Sequence, residues 1–82
     1  MKRETFEIRV NGILIETRSK WNAATKAIEF KVREIAKAES QMYVLSDKES
    51  IKGEYGFVQG YRTWKGMKDG RILKFEIKKL GE

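Results

Sequence analysis

The sequence has no cysteine, no histidine and no proline among its 82 residues. The missing cysteine excludes a disulfide scaffold. Without cysteine and histidine the chain also lacks the usual zinc ligands, the commonest general base and the commonest nucleophile outside serine. Acidic residues are scattered singly among basic ones, and the nearest to a pair, Asp47 and Glu49, falls in a segment typical of a solvated turn. We therefore expect no enzyme, no metal site and no cofactor.

The chain also lacks a long hydrophobic run. No apolar stretch approaches the roughly 20 residues that a membrane span needs, and residues 1–5 are not followed by the apolar segment of a secretory signal peptide. With 40% apolar and 37% charged residues, the composition is typical of a folded chain. We expect one small basic domain over residues 1–82, monomeric, without a membrane partner, and cytoplasmic or nucleoid-associated.

The first strands are indicated by alternation around a turn. Apolar and polar residues alternate over residues 6–10, Asn11-Gly12 offers the two positive-φ positions of a tight turn, and the alternation resumes over residues 13–17. This pattern predicts a β-hairpin over residues 5–18.

A helix is indicated by the spacing of the next apolar residues. These are Trp21, Ala24, Ile28, Val32 and Ile35. At the helical rotation of 100° per residue they fall within about 80° of one another, on one side of a helix. The spacing predicts an amphipathic helix over residues 21–38, capped by Ser19 or Asn22, that lies across the sheet.

The second half of the chain is rich in β-forming residues. Residues 42–45 predict a short strand that ends in a turn over residues 46–50. Residues 53–64 predict a strongly curved strand interrupted by three glycines, and residues 65–70 predict a turn before a last strand over residues 71–80. The predicted fold is α+β in the order ββαβββ: a curved antiparallel sheet or partial barrel with one amphipathic helix packed on it.

Positive charge is concentrated in one segment of this half. The protein has a formal net charge of +6, and residues 55–79 carry seven basic and two acidic side chains, a net charge of +5. Five of the nine aromatic residues are interleaved with these charges. Clustered lysine and arginine attract phosphates, and exposed rings offer stacking surfaces, so this composition favours a nucleic-acid-binding protein.

Periodicity indicates which side chains would make such contacts. Lys74 and Lys78 share one face of the last predicted strand, while Lys68 and Arg71 adjoin the turn, so we expect a basic stripe from the loop along that strand. The alternative is that these lysines protect an edge strand from aggregation. Trp64 lies beside the loop and has two possible roles. Its ring either contacts bases, by stacking on one or wedging between two, or it enlarges the core.

Two further lysines lie near the start of the predicted helix. The free amide groups of a helix N-terminus bind phosphate, and Lys20 and Lys26 would strengthen that binding. The alternative is an ordinary solvated helix start. The candidate nucleic-acid contacts are Lys20, Lys26, Arg62, Trp64, Lys65, Lys68, Arg71, Lys74 and Lys78.

Three stretches have counterparts in a known family. They are Ser19-Lys20 with Ala23-Ala24-Thr25-Lys26-Ala27, then Tyr61-Arg62-Thr63-Trp64-Lys65, and the lysine-rich final strand. With the ββαβββ order, they resemble the methanogen chromosomal protein family, whose members are small, monomeric archaeal chromatin proteins that bind and bend duplex DNA. The resemblance implies duplex DNA rather than RNA as the partner. It implies contacts at Lys20, Lys26, Arg62, Trp64, Lys65 and Lys68. The family's longer last loop, with its proline and its own tryptophan, has no counterpart here.

The leading hypothesis is therefore non-sequence-specific binding of duplex DNA through the basic C-terminal loop and strand. A second hypothesis is a protein-interaction module, for example a phage or mobile-element inhibitor that binds an acidic protein partner. Such a module would dock through a strand edge or through Phe30, which lies on the charged side of the predicted helix. The sequence leaves open which of DNA, RNA and an acidic protein is the partner.

Overall fold

Five strands and one helix follow one another in the predicted order ββαβββ. The structure, a computed structural model, describes residues 4–80. Residues 1–3, which belong to the segment compared with a signal peptide, lie outside the described residues. The elements are β1 (Phe6–Val10), β2 (Ile13–Arg18), α1 (Trp21–Glu39), β3 (Tyr43–Gly53), β4 (Gly56–Gly66) and β5 (Ile72–Lys79). The α+β class and the element order are confirmed.

The first hairpin forms as its turn chemistry predicts. Asn11 has φ 50° and Gly12 has φ 87°, the two positive-φ positions of a tight turn. The turn is also tied to β5, since the Lys74 backbone amide donates to Asn11 Oδ1 at 3.0 Å and the Asn11 amide donates to the Lys74 carbonyl at 2.8 Å. The hairpin is therefore anchored to the middle of the sheet.

The five strands make one open antiparallel sheet in the order β2-β1-β5-β4-β3. Its two edges, β2 and β3, do not meet, so the sheet does not close into a barrel. β5 lies between the β1–β2 and β3–β4 hairpins and pairs with a strand of each. Phe6 of β1 is opposite Lys79, and Lys65 of β4 is opposite Ile72. Within residues 4–80 no helix is long and apolar enough to cross a membrane.

The core lies between α1 and one face of this sheet. Its buried apolar residues are Phe6, Ile8, Ala24, Ala27, Ile28, Val32, Tyr43, Leu73, Phe75 and Ile77. Burying each of the large aliphatic or aromatic side chains contributes about 1.5–3 kcal/mol to stability. The opposite face of the sheet, here called the outer face, has no helix on it.

The helix begins without the predicted cap. Lys20 occupies the N-cap position with extended backbone and no side-chain hydrogen bond, so neither Ser19 nor Asn22 caps the helix. Tertiary packing holds the start instead. The Trp21 ring meets Phe6 edge to face at 5.8 Å and stacks on Phe57 at 5.0 Å between ring centroids.

The predicted turn over residues 46–50 is wrong, because these residues continue β3. The strand runs to Gly53 and pairs with β4 along its length, and the chain reverses at residues 54–55. Within the expected turn the strand carries a β-bulge at Ser46, whose hydroxyl donates to the Thr63 carbonyl at 3.0 Å. Asp47 and Glu49 therefore lie on a strand and not in a loop.

β4 is likewise continuous through its glycines. A bulge at Val58 shifts the alternation, so that Phe57 lies on the helix side of the sheet. At Gly60 an added Cβ would be 2.8 Å from the Glu49 carbonyl oxygen and 2.9 Å from Trp21 Cη2. Glycine is needed there because the helix start and the neighbouring strand both approach the backbone closely.

Candidate nucleic-acid interface

Strand alternation divides the predicted contact residues between the two faces of the sheet. Arg62 is opposite the buried Phe75, and Trp64 is opposite the buried Leu73, so both lie on the helix side. Lys65 is opposite Ile72 and lies on the outer face. The predicted contact residues therefore do not all share one surface.

The outer face holds the expected row of lysines but is not basic. Its basic residues, by register, are Arg9, Lys65, Lys74 and Lys78, and its acidic residues are Glu7, Asp47, Glu49 and Glu76. Lys78 is opposite Glu7, and Arg9 is opposite Glu76. Four charges of each sign cancel, so the predicted stripe along β5 lies in a neutral surface.

Tyr61 contacts charged side chains of both signs on the outer face. Its hydroxyl donates to Asp47 Oδ2 at 3.2 Å, and Lys74 Nζ lies 5.2 Å from the centre of its ring. The hydrogen bond to the Asp47 carboxylate raises the pKa of the Tyr61 phenol above its usual value. Lys74 and Tyr61 are therefore engaged in contacts within the sheet.

The last loop is held against the end of α1. Gln41 Oε1 accepts hydrogen bonds from the backbone amides of Lys68 at 3.0 Å and Asp69 at 3.3 Å. The Arg71 guanidinium forms an ion pair with Glu39, and the Arg71 amide donates to Asp69 Oδ1 at 2.9 Å. The structure thus gives Arg71 a partner, whereas the Lys68 side chain is exposed.

Glu39 is the centre of the polar contacts at this end of the molecule. It accepts hydrogen bonds from the Tyr43 hydroxyl and from Gln41 Nε2, and these bonds hold the pKa of the Glu39 carboxyl below its ordinary value of 4.5. Burial, followed by the bond to Glu39, raises the pKa of Tyr43. The charged form of Glu39 is therefore the form that the folded protein stabilises.

We predict that Glu39→Gln lowers stability at neutral pH and that its effect disappears in acid. A depressed pKa contributes stability above the unfolded value, about 4.3, and loses it as pH falls through the lower folded value. Urea unfolding of both proteins at neutral pH and at stepwise lower pH measures the difference. Glu54→Gln, in the exposed hairpin turn, removes the same charge as a control. A deficit of Glu39→Gln that persists at low pH would contradict this role.

Lys20 and Lys26 lie far from the last loop. Lys20 is the N-cap of a helix of 19 residues, which is about 28 Å long, and the loop packs at the other end of that helix. Lys26 is on the exposed side of α1. The structure therefore does not bring the nine predicted residues into one patch, and it separates them among the helix start, the helix side of β4, the last loop and the outer face.

Trp64 instead lines a cleft between α1 and the β3–β4 hairpin, and Arg62 precedes it by two residues on the same side of β4. The cleft has a volume of about 480 Å³, and its lining residues are Glu29, Val32, Arg33, Ala36, Gln41, Met42, Tyr43 and Trp64. Trp64 packs partly against the core. The buried atoms Trp64 Nε1 and Arg62 Nη1 have no hydrogen-bond acceptor among residues 4–80. Burial lowers the pKa of Arg62, and the Glu29 carboxylate opposes that shift.

Three cations on the helix side of the sheet were not among the predicted contacts. Arg33 lines the cleft, and Lys48 is opposite Arg62 in the strand register. Lys52 lies nearer the helix start, with its Nζ 5.8 Å from the centre of the Phe57 ring. Within the lining itself Arg33 and Glu29 balance each other, and Arg62 and Lys48 add positive charge on the strands beside the cleft. Lys26 and Lys37 lie on the same exposed side of α1 as Arg33, within about 40° of it on the helical wheel.

The helix side of the molecule is therefore its basic side. Lys48 and Lys52 could not be placed there from the sequence, because the pattern assigned Lys48 to a turn and left Lys52 outside any strand. Residues 4–80 hold no cluster of three or more histidine, cysteine or acidic side chains that would fit a metal ion. Comparison with known proteins finds no matching family model, no matching curated protein and no matching solved structure.

Proposed function

We propose that this protein binds nucleic acid through the cleft between α1 and the β3–β4 hairpin. The observation that carries the proposal is the contrast between the two faces: the outer face is neutral, whereas the other residues in 4–80 include twelve basic and seven acidic side chains, with Arg33, Lys48 and Arg62 at or beside the cleft. Cations that line a concave surface attract a phosphate backbone more strongly than the same number of cations alternating with carboxylates.

The cleft also contains the aromatic and loop residues that the sequence indicated. Trp64 lines it, and Gln41, which lines the same cleft, binds the backbone of the loop that carries Lys68. The basic track therefore runs from Lys52 at the hairpin, past Arg62 and Arg33, to Lys68. Because a phosphate backbone carries no sequence information by itself, such a track favours binding without sequence specificity. A nucleic-acid partner also supports a cytoplasmic or nucleoid-associated location.

Fluorescence-anisotropy titration at several salt concentrations tests this function. Duplex DNA, duplex RNA and single-stranded DNA of equal length are compared, because all three carry the phosphates that the cleft would contact. If four cleft cations each meet one phosphate, the log-log salt slope is expected near −3.6 for duplex DNA and about −2.8 for a single strand. Absence of binding to all three near physiological salt, or a flat salt response, would refute the proposal.

Binding of a protein segment is the second candidate function, and the free edge of β3 favours it. This edge begins with exposed apolar residues: Met42 is 71% exposed, and Val44 and Leu45 are more than 40% exposed. An extended, acidic segment could add to β3 as a further strand and place its side chains near Lys48 and Lys52. Binding of an acidic peptide by a protein that binds none of the three nucleic acids would favour this function.

A further inference from the structure

The cleft is itself a pocket whose walls differ from the basic residues around it. Val32, Ala36 and Met42 line this pocket together with the Trp64 ring, and its polar residues include Glu29, Arg33 and Gln41. A volume of about 480 Å³ is within the range of sites that hold small organic groups. The pocket therefore combines apolar walls and an aromatic ring with a few polar groups.

The charges around the pocket indicate which part of a nucleic acid enters it. Glu29 lines the pocket, and its carboxylate would repel a phosphate placed inside. Arg33 lines the pocket as well, and Arg62 and Lys48 lie on the strands beside it, so these three cations attract phosphates to its mouth. A base inside and its phosphates at the mouth match this distribution. The Glu29 carboxylate also suits the amino group of a base edge.

The base must come from an unpaired strand. In a duplex the bases are stacked and paired, and turning one out costs a few kcal/mol. A single strand already presents bases that can stack on an aromatic side chain, which strengthens binding of any base.

We infer that the cleft holds a single-stranded nucleic acid, with one unstacked base in the pocket against Trp64. This inference rests on the proposed function and names its substrate class. Single strands should then bind more tightly than duplexes of the same length. The buried Trp64 Nε1 and Arg62 Nη1, which have no acceptor within the described part of the chain, lie on the side of β4 that the strand approaches.

A pocket-filling variant and its matched control test the inference. Ala36→Leu extends a larger side chain into the pocket, whereas Ala38→Leu adds the same atoms to an exposed position two residues away on α1. Thermal unfolding verifies that both variants fold. In anisotropy titrations, Ala36→Leu is expected to weaken single-strand binding about tenfold, as when one base loses its stacking contact. Ala36→Leu should weaken duplex binding clearly less than single-strand binding, and Ala38→Leu should leave the binding of both ligands unchanged.

Tryptophan emission gives a second measurement. In Trp21→Phe the remaining reporter is Trp64, and its fluorescence should change when a single strand binds but not when a duplex binds. Equal affinity for single strands and duplexes, or equal loss of both in Ala36→Leu, would overturn the inference while leaving nucleic-acid binding intact. No binding to any nucleic acid would refute the proposed function and the inference with it.

Discussion

A variant in which Arg33, Lys48 and Lys52 are all glutamine is expected to bind nucleic acid about 100-fold more weakly near 0.1 M salt. Arg33 lines the cleft on α1, Lys48 and Lys52 lie on β3 on the same side of the sheet, and together they would neutralise three phosphates. Removing them should make the log-log salt slope shallower by about 2 for a single strand and about 3 for duplex DNA. Anisotropy titrations across a salt series give both quantities.

The control for this variant removes the same charge from the other side of the sheet. Arg9, Lys74 and Lys78 lie on the outer face, where carboxylates alternate with them. Replacing these three by glutamine leaves the protein with the same net charge as the cleft variant. Affinity and salt slope should stay close to those of the unaltered protein. An equal loss in both variants would mean that total charge, and not the cleft, determines binding.

Gly60→Ala is expected to destabilise the protein by about 1–3 kcal/mol. On conformational grounds alone, alanine in place of a strand glycine would stabilise by about 0.5–1 kcal/mol. The sign reverses here because the added Cβ would lie 2.8 Å from the Glu49 carbonyl oxygen and 2.9 Å from Trp21 Cη2. Neither the β3 backbone nor the Trp21 ring, which stacks on Phe57, can move without loss of other contacts.

Urea unfolding measures this change, and Trp21 fluorescence reports whether the helix start moves. Gln59→Ala, at the neighbouring position on the exposed outer face, is the matched control and should change stability little. Equal or higher stability of Gly60→Ala would show that the β4 backbone relaxes to accept a side chain.

The sequence predicted well the elements that depend on residues close together in the chain. Asn11-Gly12 has the turn geometry that its residue types require, and the apolar spacing of α1 corresponds to the side that the sheet covers. β3 has no such signal. It is an edge strand whose residues from Val44 to Lys48 are exposed on both faces, so no alternation of burial appears in its sequence. Pairing with β4, and not composition, makes this segment a strand.

The candidate site could be predicted only in part for a similar reason. Trp64 was undecided because its face depends on where the strand carries an extra residue, and the bulge proves to be at Val58, between Phe57 and the rest of β4. Arg33 is on α1, whereas Lys48 and Lys52 are on β3, and only the tertiary fold places them on the same side of the sheet. Arg62 and Trp64 were identified, but as parts of a different surface.

The position of β5 between the two hairpins has a consequence for how the molecule is made. During synthesis this strand follows all the other described elements, yet it is the one that joins β1 to β4. Before it emerges, no strand is present to join β1 to β4, and the apolar side of α1 lacks Leu73, Phe75 and Ile77 as partners. Closing the sheet pairs Phe6 with Lys79, almost the full described length apart, and such long-range closure is slow. We therefore expect that the sheet folds cooperatively only after β5 has been translated.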